Sequence, residues 1–167
     1  DRGDIPLSMR MALAAQKAAG GSLASQPRLL QRLIYPLPYA DLIAAQARQR
    51  GVDPLLFAGL IRQESTFNPR ARSSANALGL SQVVPSTGQG IASALNRPPI
   101  NNEDLYRPVV AIEFGVFYLG RQLGQYDNRI YPALAAYNAG GGNVNGWVAE
   151  FGGEDPDVFM ELIPFAE

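Results

Sequence analysis

The stretch Asp53-Pro-Leu-Leu-Phe-Ala-Gly-Leu-Ile-Arg-Gln-Glu-Ser65 decides how the rest of the chain is read. An Asp side chain can accept from the N–H groups of a first helical turn, and Pro fits the first helical position, where no N–H is needed. The pair Asp53-Pro54 therefore predicts the start of one short helix. Counting back from Glu64, Ile61 lies at i−3, Leu60 at i−4 and Phe57 at i−7, so the carboxylate shares the face that should be buried. A carboxyl group in apolar company resists ionising, and one that stays protonated near neutral pH can act as the general acid of glycoside cleavage. The competing reading is a fraying helix end, with Glu64 in water or paired to a nearby arginine. Periodicity leaves both open, because perturbed carboxylates are also structural.

Composition narrows the chemistry. The 167 residues suit one domain with room for an appended segment, and 47% hydrophobic residues are enough for a core. Lys and Arg number 14 against 15 Asp and Glu, so no basic surface for nucleic acid is implied. There is no His and no Cys, which removes thiol nucleophiles, Ser-His-Asp triads, imidazole catalysis and nearly all zinc sites. Chemistry must run on carboxylates, hydroxyls, amides or amines, and neither metal nor cofactor is expected. No apolar run approaches the ~20 residues that cross a bilayer. The opening DRGDIPLSMRMALAAQ lacks the apolar core of a signal peptide, which reads as a mature form or a fragment.

Outward from the Glu64 helix, residues 8–19 have high helix propensity and stop at Gly20-Gly21, and residues 28–34 form a short amphipathic helix before Tyr35-Pro36-Leu37-Pro38. The domain boundary is placed at Pro36, with residues 1–35 as a helical tail or the end of a preceding module and 36–167 as the main domain. Tyr39 to Arg50 reads as a helix closed by Gly51. Residues 68–84 lack any sustained period and read as a long structured loop or a small irregular sheet. Pro85 opens a helix to Leu95. Pro108 opens the longest, to about Tyr126, with Val109, Ile112, Val116 and Leu119 spaced for burial. Ile130–Asn138, Val144–Phe151 and a segment capped by Asp155-Pro156 follow, with Ala139 to Asn143 as a turn. The class is all-α with irregular loops.

At Arg62-Gln63-Glu64-Ser65, then Gly79-Leu80-Ser81-Gln82, then Ala136-Tyr137-Asn138-Ala139-Gly140, the chain resembles the catalytic domain of soluble lytic transglycosylases. The likeness runs from about Leu37 to Glu167 and takes in Asn68-Pro69, Gly115, Tyr118-Leu119 and Glu161-Leu-Ile-Pro-Phe165. It implies a lysozyme-like helical fold of the goose type, peptidoglycan glycan strands as substrate, a periplasmic or cell-envelope location, and a monomer. It also implies that Glu64 is the catalytic glutamate, acid and then base, and that Ser73 orients the N-acetylmuramoyl unit. Gln82, Tyr137, Asn138 and Ser81 become cleft residues, and Glu161 an acid lining the groove away from the scissile bond. Residue by residue, Tyr137 and Asn138 read equally well as a helix end packed under a glycine turn, and Glu161 as a solvated helix-end carboxylate.

Departures from the family pattern are specific. Ser81 stands where the family has Met, Ala111 where it typically has Asn, and Arg107 where Asp often precedes Pro108. Family members also continue beyond the point where this chain stops, so a C-terminally truncated domain is expected. A hydrolase needs a second carboxylate about 5 to 9.5 Å from the first. Asp53 lies about 16 Å back along the helix at ~1.5 Å per residue, too far to serve. The resemblance accordingly implies cleavage of the β-1,4 bond with formation of a 1,6-anhydromuramoyl end, against two alternatives: a muramidase hydrolysing that bond, or an inactive peptidoglycan-binding module.

Overall fold

The computed structural model describes residues 4–164, so of the closing stretch named above Phe165 lies outside the described part, as does Glu167. Among the described residues there are nine α-helices: α1 Ile5–Ala19, α2 Arg28–Ile34, α3 Ala40–Arg50, α4 Pro54–Ser65, α5 Pro85–Ala94, α6 Pro108–Gln125, α7 Ile130–Ala139, α8 Gly141–Phe151 and α9 Pro156–Leu162. The all-α class holds. The segment after α4 holds two isolated antiparallel bridges, Arg72 with Leu78 and Leu78 with Val83, and no strand among the described residues, so of the two expectations it is the structured loop that is seen there.

Local chemistry sets most boundaries. Asp53 Oδ1 accepts from the Leu55 and Leu56 N–H groups at 2.7 and 3.3 Å, and Asp155 caps α9 in the same way. Helix α1 starts earlier than its propensity run, because Asp4 accepts from Leu7 N at 2.9 Å and Pro6 fills the first turn. Three expectations need correcting. Tyr39 is not helical but stands before α3 in the left-handed region, at φ 61°. The glycines after Ala139 are not one turn: Gly140 alone breaks the chain, at φ 83°, and Gly141 already begins α8. Val109 is 55% exposed, while Val110 one position on is buried. In the first turn of α6 the inward stripe passes through Val110, not Val109.

Helix α6 is the axis of the packing. One face joins a cluster with α3, α4, α7, α8 and α9 that includes Phe57, Ile61, Ile112, Val116, Leu119, Ala136 and Tyr137. Its other side joins a smaller cluster of Val110 and Phe114 with Leu78, Val83, Ile91 and Leu105. Each fully buried Phe, such as Phe57 or Phe114, contributes about 1.5–3 kcal/mol relative to exposure. Met9 of α1 is 1% exposed and belongs to the larger cluster, so the N-terminal segment packs on the same core. Tyr118 touches both clusters, and the cleft opens along the seam between them.

Candidate active site

The end of α4 is pinned, not frayed. Ser65 is buried and its hydroxyl donates to Leu80 O at 2.8 Å as well as to Ile61 O within the helix. Thr66 and Phe67 then take left-handed conformations in succession, at φ 52° and 58°, which turns the chain and drops Phe67 into the core at 1% exposure. Two left-handed residues cost roughly 2–4 kcal/mol, and burying one Phe offsets about 1.5–3 kcal/mol of that. The turn fixes Glu64 on the last helical turn, half-buried, at the wall of a cleft of about 780 Å³.

The opposite wall is the irregular loop. Ser73 Oγ accepts from Ala77 N at 3.0 Å, and Ser73 N donates to Ala77 O, closing a five-residue turn at the cleft edge. That bond leaves the Ser73 O–H proton for a ligand. Gln82 sits at φ 47°, and its Nε2 donates to Gly79 O at 2.9 Å and Ala71 O at 3.4 Å. Its Oε1 is the acceptor it can offer the cleft. Gly79 is required here: at φ 74°, any Cβ would collide with the Leu105 carbonyl.

The floor comes from α6 and α7. Tyr137 is 8% exposed and donates its hydroxyl to Ser81 O at 2.7 Å, with its ring edge-on to Tyr118 at 5.1 Å. Burial, then the charge of Glu64, then Tyr118, hold the Tyr137 hydroxyl well above the usual phenol range. Glu64 is thus close enough for its charge to be felt by that ring. Asn138 lines the cleft beside it, and α7 closes at Gly140 through a bond to Ala136 O.

The structure therefore brings Glu64, Ser73, Gln82, Tyr137 and Asn138 to one cleft, and it separates two candidates from it. Ser81 has 0% exposure, and its hydroxyl donates to Ala111 O at 2.8 Å. It lies beneath the cleft, held against α6, and presents no side chain to a ligand. Glu161 is exposed on α9 and is not among the residues that line the cleft. Sequence reasoning gave no role to Gln63, Val84, Thr87 and Tyr118, which also line it. Tyr118 falls within the family likeness, as Tyr118-Leu119, and that was the available signal. Among the described lining residues, Glu64 is the single acid, and no group of three or more His, Cys, Asp or Glu that could hold a metal occurs among the described residues.

Residues 41–160 match the transglycosylase SLT domain. The chain belongs to that family. It is 34% identical over 135 residues to the soluble lytic murein transglycosylase of Salmonella typhimurium, covering 80% of this chain and 21% of that protein. It is 38% identical over 116 residues to the membrane-bound lytic murein transglycosylase C of Histophilus somni, covering 64% of this chain and 32% of the relative. In structure, this SLT domain superposes on the 70 kDa soluble lytic transglycosylase of Escherichia coli with a TM-score of 0.74 at 33% identity, over 80% of this chain and 22% of the other. An inactive Glu-to-Gln mutant of the lytic transglycosylase Slt from Pseudomonas aeruginosa gives a TM-score of 0.75 at 31% identity, over 80% and 22%. The all-α fold of these structures is the fold seen here. The chain spans about a fifth to a third of the relatives' length.

Proposed function

We propose that this chain is the catalytic domain of a peptidoglycan lytic transglycosylase, with residues 36–167 as the catalytic unit and α1–α2 packed on it. Its substrate is the glycan strand, and the bond cleaved is the β-1,4 link from N-acetylmuramic acid to N-acetylglucosamine. The observation that carries the reading is a cleft with one carboxyl group, Glu64, among its described lining residues. Glu64 donates its proton to the glycosidic oxygen as the C1–O4 bond breaks. The 2-acetamido oxygen of the muramoyl unit stabilises the cationic C1. Glu64, now a carboxylate, takes the proton of the C6 hydroxyl as that oxygen attacks C1, which closes the 1,6-anhydro ring and returns Glu64 to its acid form. No water is consumed, so no second carboxylate is needed to activate one.

Ser73 and Gln82 offer a hydroxyl proton and an amide oxygen to the sugars, and Tyr118 with Asn138 shapes the wall around Glu64. The setting is the periplasm or cell envelope, where such strands lie. The test is Glu64→Gln, nearly isosteric but unable to donate and recover the proton. The variant should fold like the parent and fail to clear a peptidoglycan suspension. Clearance above a few per cent of the parent rate would remove Glu64 from the acid role.

A further inference from the structure

Two residues of the loop are held by three hydroxyl groups. Ser65 at the end of α4 donates to Leu80 O at 2.8 Å, and Tyr137 of α7 donates to Ser81 O at 2.7 Å. Ser81 itself donates to Ala111 O of α6 at 2.8 Å. The Leu80–Ser81 backbone is thereby tied to three helices at one point, and Ser81 rests with no exposure against Gly115. The neighbours of this point all reach the cleft. Gln82 follows directly, Tyr137 is the donor across the bond, and Glu64 precedes Ser65.

A buried hydroxyl that found no acceptor would destabilise the core, and a methyl group would fill the same space without that demand. The Ala111 carbonyl already lies inside the ladder of α6, so the Ser81 bond adds little to the helix itself. What it fixes is the loop. Gln82 is held at φ 47°, a conformation that a non-glycine residue keeps only where its surroundings impose it. A loop free to slide on α6 would release both Gln82 and the acceptor of the Tyr137 hydroxyl.

We propose that Ser81 is a positioning residue for glycan binding: its bond to Ala111 locks the Leu80–Ser81 backbone onto α6 and so sets Gln82 and Tyr137 against Glu64. Ser81 itself touches no sugar. The choice of ligand rests on the glycan-cleaving reading above, whereas the lock does not.

The experiment compares Ser81→Ala with Ile112→Val, a truncation in the core face of α6, both placed in Glu64→Gln protein so that ligand survives. Peptide-free glycan strands are the probe, and amide hydrogen exchange at Gly79 and Gln82, which donate to Ala71 O and Gly79 O, is the ligand-independent readout. Ser81→Ala should weaken strand binding about two- to twelvefold, as one lost hydrogen bond does, and speed exchange at both amides. Ile112→Val should lower the melting temperature while leaving both readouts at the parent value. Unchanged exchange in Ser81→Ala, or faster exchange with unchanged affinity, overturns the proposal. If the Glu64→Gln parent binds no strands, the glycan reading fails, and the exchange comparison alone decides whether the lock exists.

Discussion

Replacing Gly115 by Ala sets two effects of opposite sign against each other in the middle of α6. In an open helix interior the change gains about 1 kcal/mol, since glycine gives up more backbone freedom on folding. At this position the added methyl would overlap Ser81 Oγ and lie 2.6 Å from Ser81 Cβ and 2.8 Å from Phe57 Cζ. Carbon atoms rest at about 3.5–4.0 Å, so the neighbours must move by roughly 1 Å. Ser81 and Phe57 both have 0% exposure and cannot swing into solvent. Overpacking of this kind costs about 1–3 kcal/mol, and pushing Ser81 off Ala111 forfeits a further ~0.5–1.5 kcal/mol. The steric side wins. Net destabilisation of about 0.5–3.5 kcal/mol is expected, which lowers the melting temperature by roughly 1–14 °C in a domain of this size. Gly124 provides the control, because it belongs to the same helix and a methyl there meets nothing within 4 Å. Gly124→Ala should raise the midpoint slightly. Calorimetry of the two variants decides the matter, and a Gly115→Ala midpoint equal to that of Gly124→Ala would refute the contact.

Tyr137→Phe deletes the hydroxyl bond to Ser81 O and should cost about 0.5–1.5 kcal/mol at neutral pH, read from urea unfolding. Burial raises the folded-state pKa of Tyr137, so the unfolded chain sheds this proton first; stability is unaffected below about pH 10 and falls above it, by up to ~1.4 kcal/mol per pH unit. Tyr137→Phe should lose that decline, and equal slopes in the two proteins between about pH 9 and 11 would contradict it. The sequence comparison makes Ser81→Met look like restoration of the family residue, but the enclosed site against Gly115 predicts the reverse: a loss of about 1–3 kcal/mol, visible as a lower urea midpoint. A midpoint at or above the parent's would show that the core opens to admit the longer side chain.

Much of this was readable from residue order. Asp53-Pro54 and Asp155-Pro156 announce helix starts because capping is local chemistry, and the prediction for α2, Arg28–Ile34, holds without change. The apolar spacing behind Glu64 correctly placed Phe57, Leu60 and Ile61 in the core. Errors fall where tertiary context chooses between neighbours. Val109 and Val110 have equal local claims to burial, and only the position of α5 and of residues 102–106 selects Val110. The fate of Ser81 could not be read either, since its acceptor, Ala111, is thirty residues away in sequence. Glu161 carries a carboxylate of the right type, yet α9 leaves it exposed outside the cleft lining. The glycine run after Ala139 looked like a turn by composition, but packing of Val144 and Trp147 against the core sustains α8 almost from Gly140.

The identity of the new chain end tests the central claim most directly. If Glu64 alone serves as acid and then base, purified peptidoglycan digested by this protein yields muropeptides ending in 1,6-anhydromuramic acid. A hydrolase acting at the same bond leaves reducing ends, each heavier by one water. Mass spectrometry of the released fragments separates the two outcomes. Anhydro ends should predominate, and should vanish with Glu64→Gln; predominantly reducing ends would contradict the single-carboxylate mechanism and make the protein a muramidase.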